Sequence, residues 1–194
     1  MFQFYLYIYY LRGILIHMKK LLLPLLITLS TTILAKTPES LFGVYINDNV
    51  LDYVTKEELK SKITHFVRGF YRLRLKNPPE NNKDYSDKLW VVFDKNNKIS
   101  KIQSQKVFQN SETCEKVEFG ARRILENKYD TKLEINPNAK YGFDKWFGNV
   151  LLSTQCKILS NRTGLLITLK TKAYTYKYVD YLESLFNPSS LKQR

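Results

Sequence analysis

The run Tyr71-Arg72-Leu73-Arg74-Leu75-Lys76 alternates apolar residues with cations. In an extended chain that alternation places Arg72, Arg74 and Lys76 on one face, about 7 Å apart. The spacing is close to that of successive phosphates along a nucleic-acid strand or of charges on an anionic surface lattice, so the three are candidate anion-binding residues. The competing reading is a strand exposed at a sheet edge, whose charge prevents edge-to-edge aggregation. A second run interleaves Tyr174, Tyr176, Tyr178 and Tyr181 with Lys170, Lys172 and Lys177. Aromatics among cations stack bases or sugars, and they are equally ordinary strand residues with good cross-strand packing.

Residues suited to catalysis are sparse. Beyond the amino-terminal 35 residues the chain has a single histidine, His65. On a helix beginning after Thr55 it falls about 140° from the centre of the apolar face, which makes it a solvated residue rather than a base in a cleft. One histidine, two cysteines and scattered carboxylates do not compose a typical zinc site. The sequence has no GxSxG, HExxH or Walker motif. The pairs Glu57/Glu58 and Asp180/Glu183 read as the wet faces of amphipathic helices before they read as acid–base pairs. No catalytic residue, metal ligand or cofactor is assigned.

Cys114 and Cys156 are the two cysteines, and what they do depends on the compartment. Residues 18–35, MKKLLLPLLITLSTTILA, have the parts of a secretory signal in order: the cationic head Met18-Lys19-Lys20, the apolar run Leu21 to Leu29 broken by Pro24, a polar stretch, and small Ala35. The apolar run is short of the roughly 20 residues a membrane-spanning helix needs. Cleavage after Ala35 is expected, and residues 1–17 are then accounted for by an initiator at Met18. The alternatives are a longer leader with Arg12 in its head, or an uncleaved anchor. In an oxidising compartment two cysteines argue for a Cys114–Cys156 bridge. It would close a loop of about 43 residues and stabilise the fold by roughly 4 kcal/mol. Two buried thiols in a cytoplasmic protein, or a nucleophilic thiol, are the competing readings.

Residues 36–194 suit one domain. The formal net charge of +13 falls only by Arg12, Lys19 and Lys20 when the leader is removed. A charge of that size favours anionic partners such as phospholipid head groups, lipopolysaccharide-like envelope components, acidic proteins or nucleic acid, the last being the weaker expectation; it also serves solubility alone.

The elements that must carry these residues follow from periodicity. Thr55-Lys56-Glu57-Glu58 is a capping box, and Leu59, Ile63, Phe66, Val67 and Phe70 continue at helical spacing. The strand at Tyr71 ends before Asn77-Pro78-Pro79. Two strand-like runs flank Asp94-Lys95-Asn96-Asn97-Lys98, a turn. Ser111 starts an amphipathic helix with Cys114, Val117, Ala121, Ile124, Leu125 and Tyr129 on its apolar face and the pairs Glu112/Lys116 and Glu118/Arg122 on the other. After a loop containing Asn136-Pro137-Asn138 and Gly142, a second hairpin turns at Asn161-Arg162-Thr163-Gly164 and runs on to Tyr176. A third helix is predicted over 178–186, stopped by Asn187-Pro188. The fold class is α+β: an antiparallel sheet built from two hairpins, with two or three helices packed on one face.

Leu41-Phe42-Gly43-Val44 shortly after the leader, a cysteine in a middle helix ending in Lys128-Tyr129 and a second cysteine in a late strand give residues 41–176 a resemblance to small exported bacterial proteins. The resemblance implies a periplasmic or secreted location and a helix-to-strand disulfide; it carries no activity. The expected function is therefore an exported, envelope-associated binding or accessory protein, with a small secreted hydrolase or toxin-like effector as the alternative. Expression from Met18 in a bacterium should give an exported product whose amino-terminal sequence begins near Lys36; a full-length cytoplasmic product would remove the basis of the compartment argument.

Overall fold

The computed structural model describes residues 36–67, 69–80, 83–139 and 142–186. The expected signal region 1–35 and the Asn187-Pro188 stop lie outside the described residues. Among the described residues ten strands and three α-helices follow one another: β1 Ser40–Leu41, β2 Val44–Tyr45, α1 Lys56–Lys62, β3 Thr64–Val67, β4 Phe70–Leu75, β5 Lys88–Asp94, β6 Ile99–Phe108, α2 Ser111–Lys128, β7 Glu134–Ile135, β8 Gly142–Phe147, β9 Val150–Leu159, β10 Arg162–Thr171 and α3 Lys172–Phe186. β1 and β2 pair with each other, and the other eight strands form one sheet in the order β3-β4-β5-β6-β10-β9-β8-β7. Every neighbouring pair in that sheet is antiparallel. Two four-stranded meanders are joined through their last strands, β6 and β10.

Local chemistry explains most element ends. Thr55 caps α1 by accepting the Glu58 N–H, and Asn110 caps α2 by accepting the Thr113 N–H. Asp94 Oδ1 accepts the N–H groups of Asn96 and Lys98, which closes the turn between β5 and β6. Phe42 and Gly43 both have positive φ, 54° and 73°, the backbone of a two-residue hairpin turn. A side chain at Gly43 would meet Pro79 Cβ at 2.8 Å, so the turn needs glycine there for space as well as for conformation.

The α+β class is as expected, and the sheet is larger than two hairpins. β7 and β8 occupy the segment read as a loop. The helix predicted from Thr55 through Phe70 stops at Lys62: Ile63 is extended, and Thr64–Val67, rich in β-branched and aromatic residues, pairs with β4. His65 therefore sits on a strand, exposed, with its ring 4.8 Å from that of Tyr71. At the other end β10 stops at Thr171 and the helix starts at once, so Tyr174 and Tyr176 are helical rather than strand residues.

The helices also divide between the two faces of the sheet. One face carries Leu73, Leu75, Leu89, Val91, Phe93, Ile102, Leu152, Leu165, Ile167 and Leu169, all buried in the main core with Ala121, Leu125 and Tyr129 of α2. Leu41, Val44 and Val50 of the amino-terminal segment complete this core, and the Tyr129 hydroxyl ties it by donating to Ser40 O at 2.7 Å. Against the opposite face lies α3, where Tyr174 joins Val67, Phe70 and Val92 in a second, smaller cluster. Packing on one face only is thus corrected: every second side chain of β4 and β5 points away from α2, and the apolar ones among them need a cover of their own.

α2 is fastened to the main face by covalent and polar bonds. Cys114 and Cys156 form a disulfide with Cα atoms 6.1 Å apart. One turn on, Thr154 Oγ1 donates to Glu118 Oε1 at 2.5 Å. Glu112/Lys116 is an exposed pair at 2.7 Å, as expected, but Glu118, 5% exposed, faces the sheet rather than solvent, and Ile124 is the residue left outside. Arg122 lies over the Phe143 ring at 3.8 Å and within 3.4 Å of Glu118. Burial pushes the Glu118 carboxyl above its usual range, although Thr154 and Arg122 oppose this. Burial acts on Glu126 too, yet the Leu133 N–H, Lys132 and Arg122 hold that carboxyl below the usual range.

Cys114→Ser and Cys156→Ser should each destabilise the protein by a similar amount, up to roughly 4 kcal/mol. The double variant should lose little more, since all three lack the same bond. Urea unfolding of the three variants measures this; a double variant that loses twice as much as either single one would show that the cysteines act separately.

Candidate anion-binding trough

On the face of the sheet that α2 does not cover, bordered by α3, lies a trough of about 420 Å³, lined among others by Arg72, Trp90, Lys101, Gln103, Gln105, Ser153, Gln155, Lys157, Thr168, Lys170 and Tyr178. The strand registers make it a grid. Arg72 on β4 pairs with Val92 on β5, Val92 with Lys101 on β6, and Lys101 with Lys170 on β10. One step along, Trp90 pairs with Gln103, Gln103 with Thr168 and Thr168 with Ser153. The next row runs from Gln105 through Leu166 to Gln155. Paired residues point to the same side, so each row presents its side chains together.

The first row carries the charge. Arg72 is half-buried, with its guanidinium 3.9 Å from the Trp90 ring centroid and 5.3 Å from that of Phe66, a cation–π clamp that fixes its direction. Burial draws its guanidinium below the ordinary value. The Lys101 ammonium is 5.7 Å from the Tyr174 ring. Burial, then Lys170, Arg72 and Lys157, push its pKa down to about 7. Lys170 is likewise lowered by burial, with Asp144 acting in the opposite sense. Burial raises the Tyr174 hydroxyl, so it stays neutral at physiological pH. Like charges directly across an antiparallel pair destabilise the sheet, and Lys101 opposite Lys170 is such a pair.

The second and third rows are neutral. Gln103, Gln105, Ser153, Gln155 and Thr168 are half-buried. Amides and hydroxyls both donate and accept, so these rows offer either half of a hydrogen bond to a ligand. Trp90 Nε1 is buried and has no hydrogen-bond partner among the described residues.

The structure separates the three cations expected to act together. Arg72 is in the trough. Arg74 and Lys76 are exposed and line a second cleft of about 340 Å³ with Phe42, Lys83 and Lys88, where Glu80 and Asp87 supply acids. β4 is also not an edge over its whole length: β3 covers Phe70 to Arg72, and the part carrying Arg74 is left without a partner on that side. Of the tyrosine run, Tyr174 and Tyr178 stack with each other, ring centroids 6.0 Å apart, and Tyr174 meets Phe70 edge-on at 5.3 Å. They belong to the smaller core cluster under α3, and Tyr178 is the one that lines the trough.

Lys101 was missed by sequence reasoning. Its signal was present in Ile99-Ser100-Lys101-Ile102-Gln103-Ser104-Gln105, where Lys101, Gln103 and Gln105 alternate with smaller or apolar residues. That pattern reads as a strand with a polar outer face, and the residue that meets Lys101 on the next strand, Lys170, lies far along the chain. Among the described residues no group of three or more His, Cys, Asp or Glu could hold a metal ion.

The folded Lys101 amine loses its proton near pH 7, whereas the ordinary lysine value is 10.5. Between those values the unfolded chain binds the extra proton, so this group makes stability rise with pH. Lys101→Gln should therefore melt several degrees higher than the parent at pH 6, and the gap should narrow towards pH 10. Calorimetric Tm values at both pH values check it; a gap that does not change with pH would show that Lys101 is charged throughout.

No family model matches this chain, and neither a curated protein nor a solved structure was found to match it.

Proposed function

We propose that this chain is an exported binding protein that holds an anionic ligand in the trough. The observation that carries the reading is Lys101 directly across from Lys170 on a half-buried face, with Arg72 in the same row. Burying like charges side by side costs stability, and a bound anion is what converts that cost into affinity. Arg72, fixed by Trp90 and Phe66, supplies a planar donor set suited to oxyanions. The cations make contact, and the neutral rows beyond them give the ligand's remainder something to bond.

The compartment belongs to the same reading. The leader at residues 18–35 sends the chain to an oxidising location, and the Cys114–Cys156 bond is compatible with one. The ligand is then an envelope component or another anion met outside the cytoplasm, with an acidic protein as the other partner class. A glycosidase-type hydrolase would need two carboxyls poised on one substrate. Glu118 and Asp144 are both raised by burial, but Glu118 bonds Thr154 on the core face while Asp144 pairs with Ser153 on the trough face.

Arg74 and Lys76 have a separate role in this reading. They protect the uncovered half of β4 from pairing with another chain. Pyrophosphate binding should weaken as salt rises and fall at least tenfold in a Lys101→Gln, Lys170→Gln double variant. Arg74→Ser with Lys76→Ser should keep the affinity and scatter light as it aggregates. Calorimetric titration at two salt concentrations, beside light scattering of the same samples, decides; loss of binding in the Arg74/Lys76 variant with retention in the lysine variant would move the site to the other cleft.

A further inference from the structure

We infer that the trough takes a phosphate monoester carried on a polyhydroxylated, sugar-like scaffold. The phosphoryl group sits between Lys101, Lys170 and Arg72, and the scaffold hydroxyls lie on Gln103, Thr168 and Ser153. This rests on the anion-binding reading above and adds the chemistry of the rest of the ligand.

Three features lead there. The first is the separation of charge from neutral polarity. Lys101 and Gln103 are two residues apart on β6, so the cationic and neutral rows are about 7 Å apart, about the reach from a phosphoryl group to the far hydroxyls of the sugar ring that bears it. A polyanion with evenly repeated charges would instead meet amides where it needs cations. The second is the makeup of the neutral row. Gln103, Thr168 and Ser153 lie on three adjacent strands in one register, and none of the three side chains hydrogen-bonds to another described residue. Each both donates and accepts, as a sugar hydroxyl does. The cleft volume of about 420 Å³ suits a small ligand, since such sites span roughly 300–1,000 Å³.

The third is the amount of charge. Two amines in contact register and a guanidinium match a dianion better than a carboxylate, and a phosphate monoester is close to dianionic at neutral pH, its second pKa being about 6. Lys101 faces Arg72 of β4, Lys170 of β10, Lys157 of β9 and Tyr174 of α3, while Asp144 of β8 acts on Lys170. A dianion placed there favours the charged amine, so binding near pH 8 draws a proton onto Lys101.

Glucose 6-phosphate, glucose, inorganic phosphate and pyrophosphate, titrated calorimetrically into the exported, disulfide-bonded protein, test this. Glucose 6-phosphate should bind at least tenfold more tightly than inorganic phosphate and glucose should give no heat. At pH 8 the heat of binding glucose 6-phosphate should change with the ionisation enthalpy of the buffer, because a proton is taken up. Gln103→Ala with Ser153→Ala should lower glucose 6-phosphate to the level of inorganic phosphate and leave pyrophosphate unchanged. Vesicles of phosphatidylcholine containing phosphatidylinositol 4-phosphate present the same chemistry on a lipid. Vesicle binding displaced by glucose 6-phosphate supports a free or a lipid-borne source alike, and vesicle binding without soluble binding assigns the ligand to the membrane surface. If pyrophosphate binds as tightly as glucose 6-phosphate and the Gln103/Ser153 variant changes nothing, the sugar-like scaffold is overturned and anion binding stands. If no probe binds, both readings fall.

Discussion

The antiparallel pairing of β6 with β10 is the constraint on which both the core and the trough depend. It is the seam between the two meanders, and its register assigns each side chain to a face. Ile102 opposite Leu169 and Ser104 opposite Ile167 fall under α2, while Lys101 opposite Lys170 and Gln103 opposite Thr168 fall in the trough. A slip of one residue in either strand would exchange the two sets, placing lysines in the core and isoleucines in water. The cost of burying those lysines fixes the register more firmly than any single contact.

α2 holds that arrangement from one side by means of different strength and reversibility. The disulfide limits the unfolded chain, while Thr154 and Arg122, the latter lying over the Phe143 ring, offset the burial of Glu118. Paired and hydrogen-bonded, a buried carboxylate adds little net stability, but it is expensive to misplace, so it specifies where the helix sits. Glu126 does the same at the helix end through the Leu133 N–H.

On the other side α3 covers only part of the sheet. Tyr174, Tyr178 and Tyr181 bury Val67, Phe70 and Val92, and cover ends where the polar rows begin. The exposed remainder is not an apolar patch, and Asp144 beside Ser153 is the acid that acts on its cations. This surface concentrates cations against an aromatic wall and keeps them half-buried, an arrangement that lowers stability in the free protein. Stability given up at one place on an otherwise well-packed sheet is the usual mark of a binding site.

The amino-acid sequence by itself determined the α+β class, the cap at Thr55, the start of α2 at Ser111, the turn at Asp94 to Lys98, the strand that carries Arg72, and two cysteines placed to face one core. Each depends on residues close together in the chain, where periodicity and capping chemistry act directly. It misjudged the segment after Ile63, because Phe66, Val67 and Phe70 suit a helix face and a strand equally well, and it missed β8, whose residues have no clear alternation. Tertiary structure decided which face of α2 is wet, since Glu118 and Arg122 at helical spacing look like a surface pair until Thr154 and Phe143 are brought beneath them. It alone made the site. Arg72, Lys101 and Lys170 lie in separate parts of the chain and converge only through pairing across β4, β5, β6 and β10, and no local pattern encodes which lysine will meet which.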